Sequence, residues 1–197
     1  MTHDLRKKAL ILSIITVGYN IIEGVVSILA GILSNSIALK GFGMDSFVES
    51  ISGAVMIWRF KKLDKITEEE EEKVERIAQR LVAISFFILS IYIIYESITK
   101  LYFKEISKPS VLGLIITTMS IIVMPILFYF KYKTGKSLGS KSLIADSKET
   151  LACVFLSIAV FLGITLNFFF GLWQADPIVG IVIAAYLIIE GIYTLKE

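Results

Sequence analysis

Lys40-Gly-Phe-Gly-Met-Asp-Ser-Phe-Val-Glu-Ser-Ile-Ser-Gly53 lies within an apolar run from Ile37 to Trp58, about as long as one bilayer crossing. Asp45 and Glu49 sit near its middle, four residues apart and therefore on one face of a helix. A carboxylate at mid-bilayer costs on the order of 2.5–3.5 kcal/mol on insertion scales. Two on one face call for a compensating partner. A metal cation is the obvious one.

The surrounding chain supports a membrane setting. Of its 197 residues, 55% are hydrophobic and 19% charged, with a mean hydropathy of +0.76. A soluble domain is about 45–50% apolar and about 25% charged. The apolar residues fall into six blocks, near Ala9–Leu33, Ile37–Phe60, Ile77–Leu101, Val111–Phe130, Leu143–Phe169 and Pro177–Leu195. Backbone groups in hydrocarbon must be satisfied internally, and alternation suited to a barrel strand is absent. The predicted fold is an all-α membrane protein of six transmembrane helices. The first block is too long for a signal-peptide core and lacks a convincing cleavage site, so it reads as a retained helix. The net charge is only +2 and the single cysteine excludes an intramolecular disulfide framework. No arginine-rich segment with interleaved aromatics points to nucleic acid.

Lys and Arg between the blocks set the orientation. Arg6, Lys7 and Lys8 precede block one. Arg59, Lys61, Lys62, Lys65, Lys73, Arg76 and Arg80 fall between or beside blocks two and three. Lys131, Lys133, Lys136 and Lys141 separate blocks four and five. The turns at residues 34–36 and 171–176 carry none, leaving Lys100, Lys104 and Lys108 on that side. Both termini are therefore predicted to be cytoplasmic. Trp58, Tyr102, Tyr132 and Trp173, all at block ends, read as interfacial anchors. The acidic run Glu68–Glu72 reads as a solvated loop or helix start, and the lone His3 as exposed. Pro125 is expected to kink block four, and Pro177 to open the last helix. The chain stops after the sixth block, and no soluble domain is expected.

Block five supplies a second polar face. Glu149 and Cys153 are four residues apart in Ala145-Asp-Ser-Lys-Glu-Thr-Leu-Ala-Cys153. At about 1.5 Å per residue, Asp45 and Glu49 lie about 13 and 19 Å in from Ser36. Glu149 and Cys153 lie about 10 and 16 Å in from Ser142, entering from the opposite side. The two pairs reach similar depth, with Asp45 nearest Cys153 and Glu49 nearest Glu149. Three carboxylates and a thiolate make a four-ligand set for a divalent transition metal. Against this, Cys153 alone is also ordinary core, and Glu149 alone can pair with a lysine. Asn20 and Glu23 in block one, with Tyr19 beside them, suit second-layer ligands, proton carriers or interhelical hydrogen bonds. Asp146 lies near the cytoplasmic end of block five, and Glu96 and Glu190 near helix ends, where they read as interfacial. Lys40 and Lys148 can snorkel or neutralise a nearby carboxylate. Gly41, Gly43, Ser46, Ser50, Ser52 and Gly53 suit close helix approach.

These segments resemble the membrane domain of the cation diffusion facilitator family. Gly31-Ile-Leu-Ser-Asn-Ser-Ile-Ala-Leu39 resembles its entry into helix two, and Asp45-x-x-x-Glu49 stands where it has a carboxylate pair. Ala145-Asp146, Glu149 and Cys153 match the spacing of Ala-Asp-x-x-His-x-x-x-Asp, and Trp173-Gln-Ala-Asp-Pro-Ile-Val179 resembles the helix-six opening. The likeness implies a dimeric transporter that exchanges cytoplasmic divalent metal for protons by alternating access, with the metal between helices two and five. Three positions depart from the zinc-type pattern: Glu149 and Cys153 replace His and Asp on helix five, and Glu49 replaces an Asp. The family's usual cytoplasmic domain and a His-rich loop are both absent from the sequence, which resembles a short branch of the family.

The expected function is therefore efflux of a divalent metal, zinc favoured, with cadmium, cobalt, iron and manganese compatible with the donors. The metal site would be Asp45, Glu49, Glu149 and Cys153, with Asn20, Glu23 and Asp146 as secondary candidates. No organic cofactor is implied, and no Gly-x-x-x-x-Gly-Lys-Ser/Thr motif supplies ATP, so protons are the natural coupling partner. The expected setting is the plasma (inner) membrane of a prokaryote, as a homodimer among lipids. The alternatives are a membrane metal-binding subunit that does not transport, and an intramembrane hydrolase, for which the two-His metal motif is missing.

Overall fold

Helices account for all the regular structure among the described residues. The computed structural model describes residues 2–62 and 67–196, excepting the side chains of residues 2–3, 62, 68, 71–72, 74–75, 78–79, 81–82, 85, 141, 194 and 196. His3, Lys62, Lys65 and Lys141, and part of the acidic run, thus lie outside the described residues. The elements are α1 (Thr2–Ser34), α2 (Ile37–Lys62), α3 (Glu68–Phe103), α4 (Val111–Leu138), α5 (Lys141–Phe170) and α6 (Ala175–Lys196).

All six expected helices are present, and several are longer than their apolar blocks. Apolar blocks report the hydrocarbon they cross, whereas capping chemistry decides where a helix stops. At the start of α3 the Thr67 side chain accepts from the Glu70 N–H while the Glu70 carboxylate accepts from the Thr67 N–H. This capping box begins the helix nine residues ahead of the apolar block. The acidic run is thus a helix start. At the other extreme α4 runs through Pro125 to Leu138 and ends on Gly139, whose φ of 65° suits the left-handed cap. The extension draws Lys131 into the helix interior.

Among the described residues, five helices, all except α2, are long and apolar enough to cross a membrane. The exception carries the acids, and its neighbours compensate. It packs chiefly on α1, and also meets α3, α5 and α6. Of residues 36–53 only Met44 and Ile51 are exposed. Around the outside, Ile22, Ile88, Ile91 and Phe155 present large apolar side chains, the surface that acyl chains solvate. α2 is the polar helix that α1, α3, α5 and α6 enclose.

Close approach of α1 and α2 makes this enclosure possible. A methyl group on Gly43 would stand 2.8 Å from the Gly24 carbonyl oxygen, and one on Gly24 would stand 3.0 Å from that of Gly43. The two backbones touch where neither has a side chain, as small-residue helix crossings in membranes require. Gly43→Ala is expected to cost about 1–3 kcal/mol through overpacking, seen as an earlier transition in an SDS unfolding titration. Gly18→Ala is the control: its Cβ meets nothing within 4 Å, so the transition should stay in place or rise slightly.

Asp176, at the start of α6, fixes the entry to α2. Its carboxylate accepts from the Ile37 N–H at 3.0 Å, the Ala38 N–H at 3.4 Å and the Ser36 hydroxyl. It therefore serves as a cap delivered from another helix, meeting donors that a helix start leaves unpaired. The Lys100 ammonium lies 3.0 Å away and also donates to Ser107 and to the Asn35 carbonyl. From the sequence Lys100 is expected to flank the membrane at the end of its block. It is instead 2% exposed. Hydropathy places a lysine near a helix end in the interface, but here the fold brings an aspartate from 76 positions away to meet it.

Candidate metal centre

Asp45 and Glu49 project from α2 toward α5 and the α3–α6 pair. With Glu149 of α5, Phe86 of α3, and Tyr186 and Glu190 of α6, they line a cavity of about 10 Å³, room for about one water-sized body. Three of the four expected ligands thus share one cavity wall. Asp45 and Glu49 are both 6% exposed. The Oε1 of Glu49 accepts from the Thr150 hydroxyl at 2.8 Å, so α2 meets α5 beside Glu149. The Oε2 atoms of Glu49 and Glu149 are buried with no hydrogen-bond partner. Buried carboxylate oxygens are costly unless something positive or donating meets them.

Cys153 does not line that cavity. It is buried one turn further along α5, with its Sγ 3.9 Å from the Oε2 of Glu23. Glu23 is fully buried and its Oε2 accepts from the Ser46 hydroxyl at 2.9 Å, while its Oε1 is unpartnered. Asn20, one turn earlier on α1, is fully buried with neither amide atom hydrogen-bonded. Glu23 and Cys153 therefore form a second polar group beside the cavity. Among the described residues, no three of the His, Cys, Asp and Glu side chains converge closely enough to hold one ion as they stand. Gathering the carboxylates around a cation requires their side chains to rotate.

Asp146 is committed elsewhere. Its Oδ2 lies 2.6 Å from the ammonium of Lys131, itself fully buried. The apolar block ends at Phe130, which predicts Lys131 to be a cytoplasmic loop charge. The helix instead continues, and Lys131 falls in line with buried Met124, Leu127 and Thr134 on the face that packs on α5. Glu190, expected at the interface, lines the cavity instead. The signal was available: Tyr186 and Glu190 repeat the four-residue spacing of Asp45 and Glu49, and so share a helix face.

The model of the cation efflux transmembrane domain family matches residues 13–197. The chain belongs to the cation efflux family. Transmembrane protein 163 of Xenopus laevis is 25% identical over 193 residues, covering 98% of this chain and 68% of that protein. The cadmium, cobalt and zinc/H(+)-K(+) antiporter of Bacillus subtilis is 25% identical over 197 residues, covering 97% of this chain and 61% of its own length. The manganese efflux system protein of Bacillus subtilis is 27% identical over 140 residues, covering 69% and 47%. The chain thus spans 47–68% of the length of these relatives. The cavity is lined by oxygen donors, with no lysine or arginine among the side chains that line it.

Proposed function

We propose that this protein carries a divalent transition-metal cation, zinc first among several, from the cytoplasm across the plasma membrane of a prokaryote in exchange for protons. The observation that carries the proposal is the pair of unpartnered carboxylate oxygens, on Glu49 and Glu149, at one cavity with Asp45. Metal would bind to Asp45, Glu49, Glu149 and Cys153, with Asn20 and Glu23 beside them. Ligands lose protons to bind metal, so proton uptake on the far side would weaken binding and release the ion. The distribution of Lys and Arg favours cytoplasmic termini, and the chain would work as a homodimer by alternating access. Names of the relatives support a metal substrate and, in one case, proton exchange.

The test is metal uptake by proteoliposomes under an imposed pH gradient. Zn²⁺ accumulation that collapses with the gradient is the expected result. Tight Zn²⁺ binding without flux would replace transport by a binding subunit. Selectivity should report on Cys153: thiolate favours soft metals, so Cys153→Ser should lose about tenfold in Cd²⁺ affinity with little change for Mn²⁺. Equal losses for the two ions would remove Cys153 from the ligand set.

A further inference from the structure

We propose that Lys131 is a positioning residue for the metal cavity, acting through the hydroxyl of Thr150 to hold Glu49 with one oxygen engaged and the other presented to the cation. The inference rests on the proposed metal site and adds to it a residue from a fourth helix.

The geometry sets the direction of each hydrogen bond. An ammonium group has three N–H donors and no acceptor. Lys131 donates to Thr150 Oγ1 at 2.8 Å and to the Asp146 carbonyl oxygen at 3.3 Å, and forms an ion pair with Asp146 Oδ2 at 2.6 Å. Because the ammonium can only donate, Thr150 Oγ1 must be the acceptor toward Lys131. The one proton of that hydroxyl is then left for another acceptor. Two are near, Glu49 Oε1 at 2.8 Å and the Asp146 carbonyl at 3.2 Å. The carboxylate is closer and charged, and hydrogen bonds to ions are about twice as strong as neutral ones. The carbonyl already receives Lys131. The hydroxyl proton therefore points to Glu49.

A relay results: ammonium to hydroxyl to carboxylate, from α4 through α5 to α2. Without Lys131 the Thr150 hydroxyl is free to turn back on its own helix, the usual competing bond for a threonine in a helix. With Lys131 in place, Oε1 of Glu49 is pinned and Oε2 is the oxygen left without a partner. Metal ligands are oriented by such outer partners, and their removal typically costs about 10–100-fold in affinity.

A purely structural role predicts something different, since Lys131 and Asp146 also clamp α4 to α5. Thr150→Val and Thr150→Ala separate the two roles, because they cut the relay and leave the clamp intact. Titration calorimetry of the purified full chain with Zn²⁺ and with Co²⁺ is the measurement, and Asp45→Ala is the control for the underlying site. The expected result is a loss of about tenfold for both Thr150 variants and retention within about twofold by Thr150→Ser. Lys131→Met combined with Thr150→Val should bind no more weakly than Thr150→Val alone. Wild-type affinity in Thr150→Val and Thr150→Ala, with binding lost in Asp45→Ala, would overturn the positioning role and leave the metal site standing. Additive losses in the double variant would likewise overturn it. Undiminished binding by Asp45→Ala would overturn the site itself, and the relay with it.

Discussion

Asp45→Ala is expected to abolish metal uptake while costing the bundle no more than about 1 kcal/mol of stability. Asp45 is almost wholly buried on the most enclosed helix, and no hydrogen bond or ion pair ties it to another described residue. A buried carboxylate of this kind is a burden on the empty protein, since its lost hydration is not repaid by a partner. Removing it relieves that cost and leaves a small void. The two effects are of similar size, so the SDS unfolding transition should shift by no more than about 1 kcal/mol in the unfavourable direction. Uptake is another matter. If Asp45 is a ligand as proposed, the cation would lose a negative charge in a buried cavity, and flux should fall by about a hundredfold or more. Stability nearly kept while activity is lost marks a side chain kept for function. Asp45→Asn sharpens the test: it keeps shape and removes charge, so it should fail as Asp45→Ala does. Undiminished flux in either variant, measured under the same pH gradient, would end the assignment.

The sequence discloses what is local. Hydropathy counts the helices, and a four-residue interval puts Asp45 with Glu49 and Glu149 with Cys153, because both signals repeat within one element. Counting rise per residue from each end places Glu49 against the turn of α5 that carries Glu149, where Thr150 meets it. What it hides is which way a helix faces. Cys153 shares a helical face with Glu149 by arithmetic, but one turn along a packed helix is enough to leave it outside the cavity and beside Glu23, 130 positions away. Lys100 and Lys131 are obscured for a different reason. A lysine at the edge of an apolar block ordinarily marks the interface, and only tertiary structure shows a carboxylate waiting for it inside. Both aspartates concerned stand in the first two turns of helices that follow the lysine in the chain, Asp146 in α5 and Asp176 in α6.

Disrupting the Lys100–Asp176 pair should give the largest stability loss of any single change at the polar sites. Asp176→Ala leaves the Lys100 ammonium buried with its charge uncompensated, and also withdraws the acceptor from the Ile37 and Ala38 N–H groups at the start of α2. Breaking a buried pair from one side costs about 3–5 kcal/mol, and the lost cap adds about 1 kcal/mol. Lys100→Met is expected to cost less than Asp176→Ala, because Asp176 keeps its bonds to Ser36, Ser107 and the α2 backbone. The double variant Lys100→Met with Asp176→Asn removes both charges and should recover part of the loss, a non-additivity that an SDS unfolding titration can read directly. Equal and additive costs would show that the two groups do not sense each other. The consequence reaches the proposed metal site, since Asp45 lies eight residues beyond Ile37, about 12 Å along α2. A frayed entry to α2 loosens the register that holds Asp45 opposite α5. Asp176→Asn, which keeps one acceptor oxygen for the cap, should therefore retain more metal binding than Asp176→Ala.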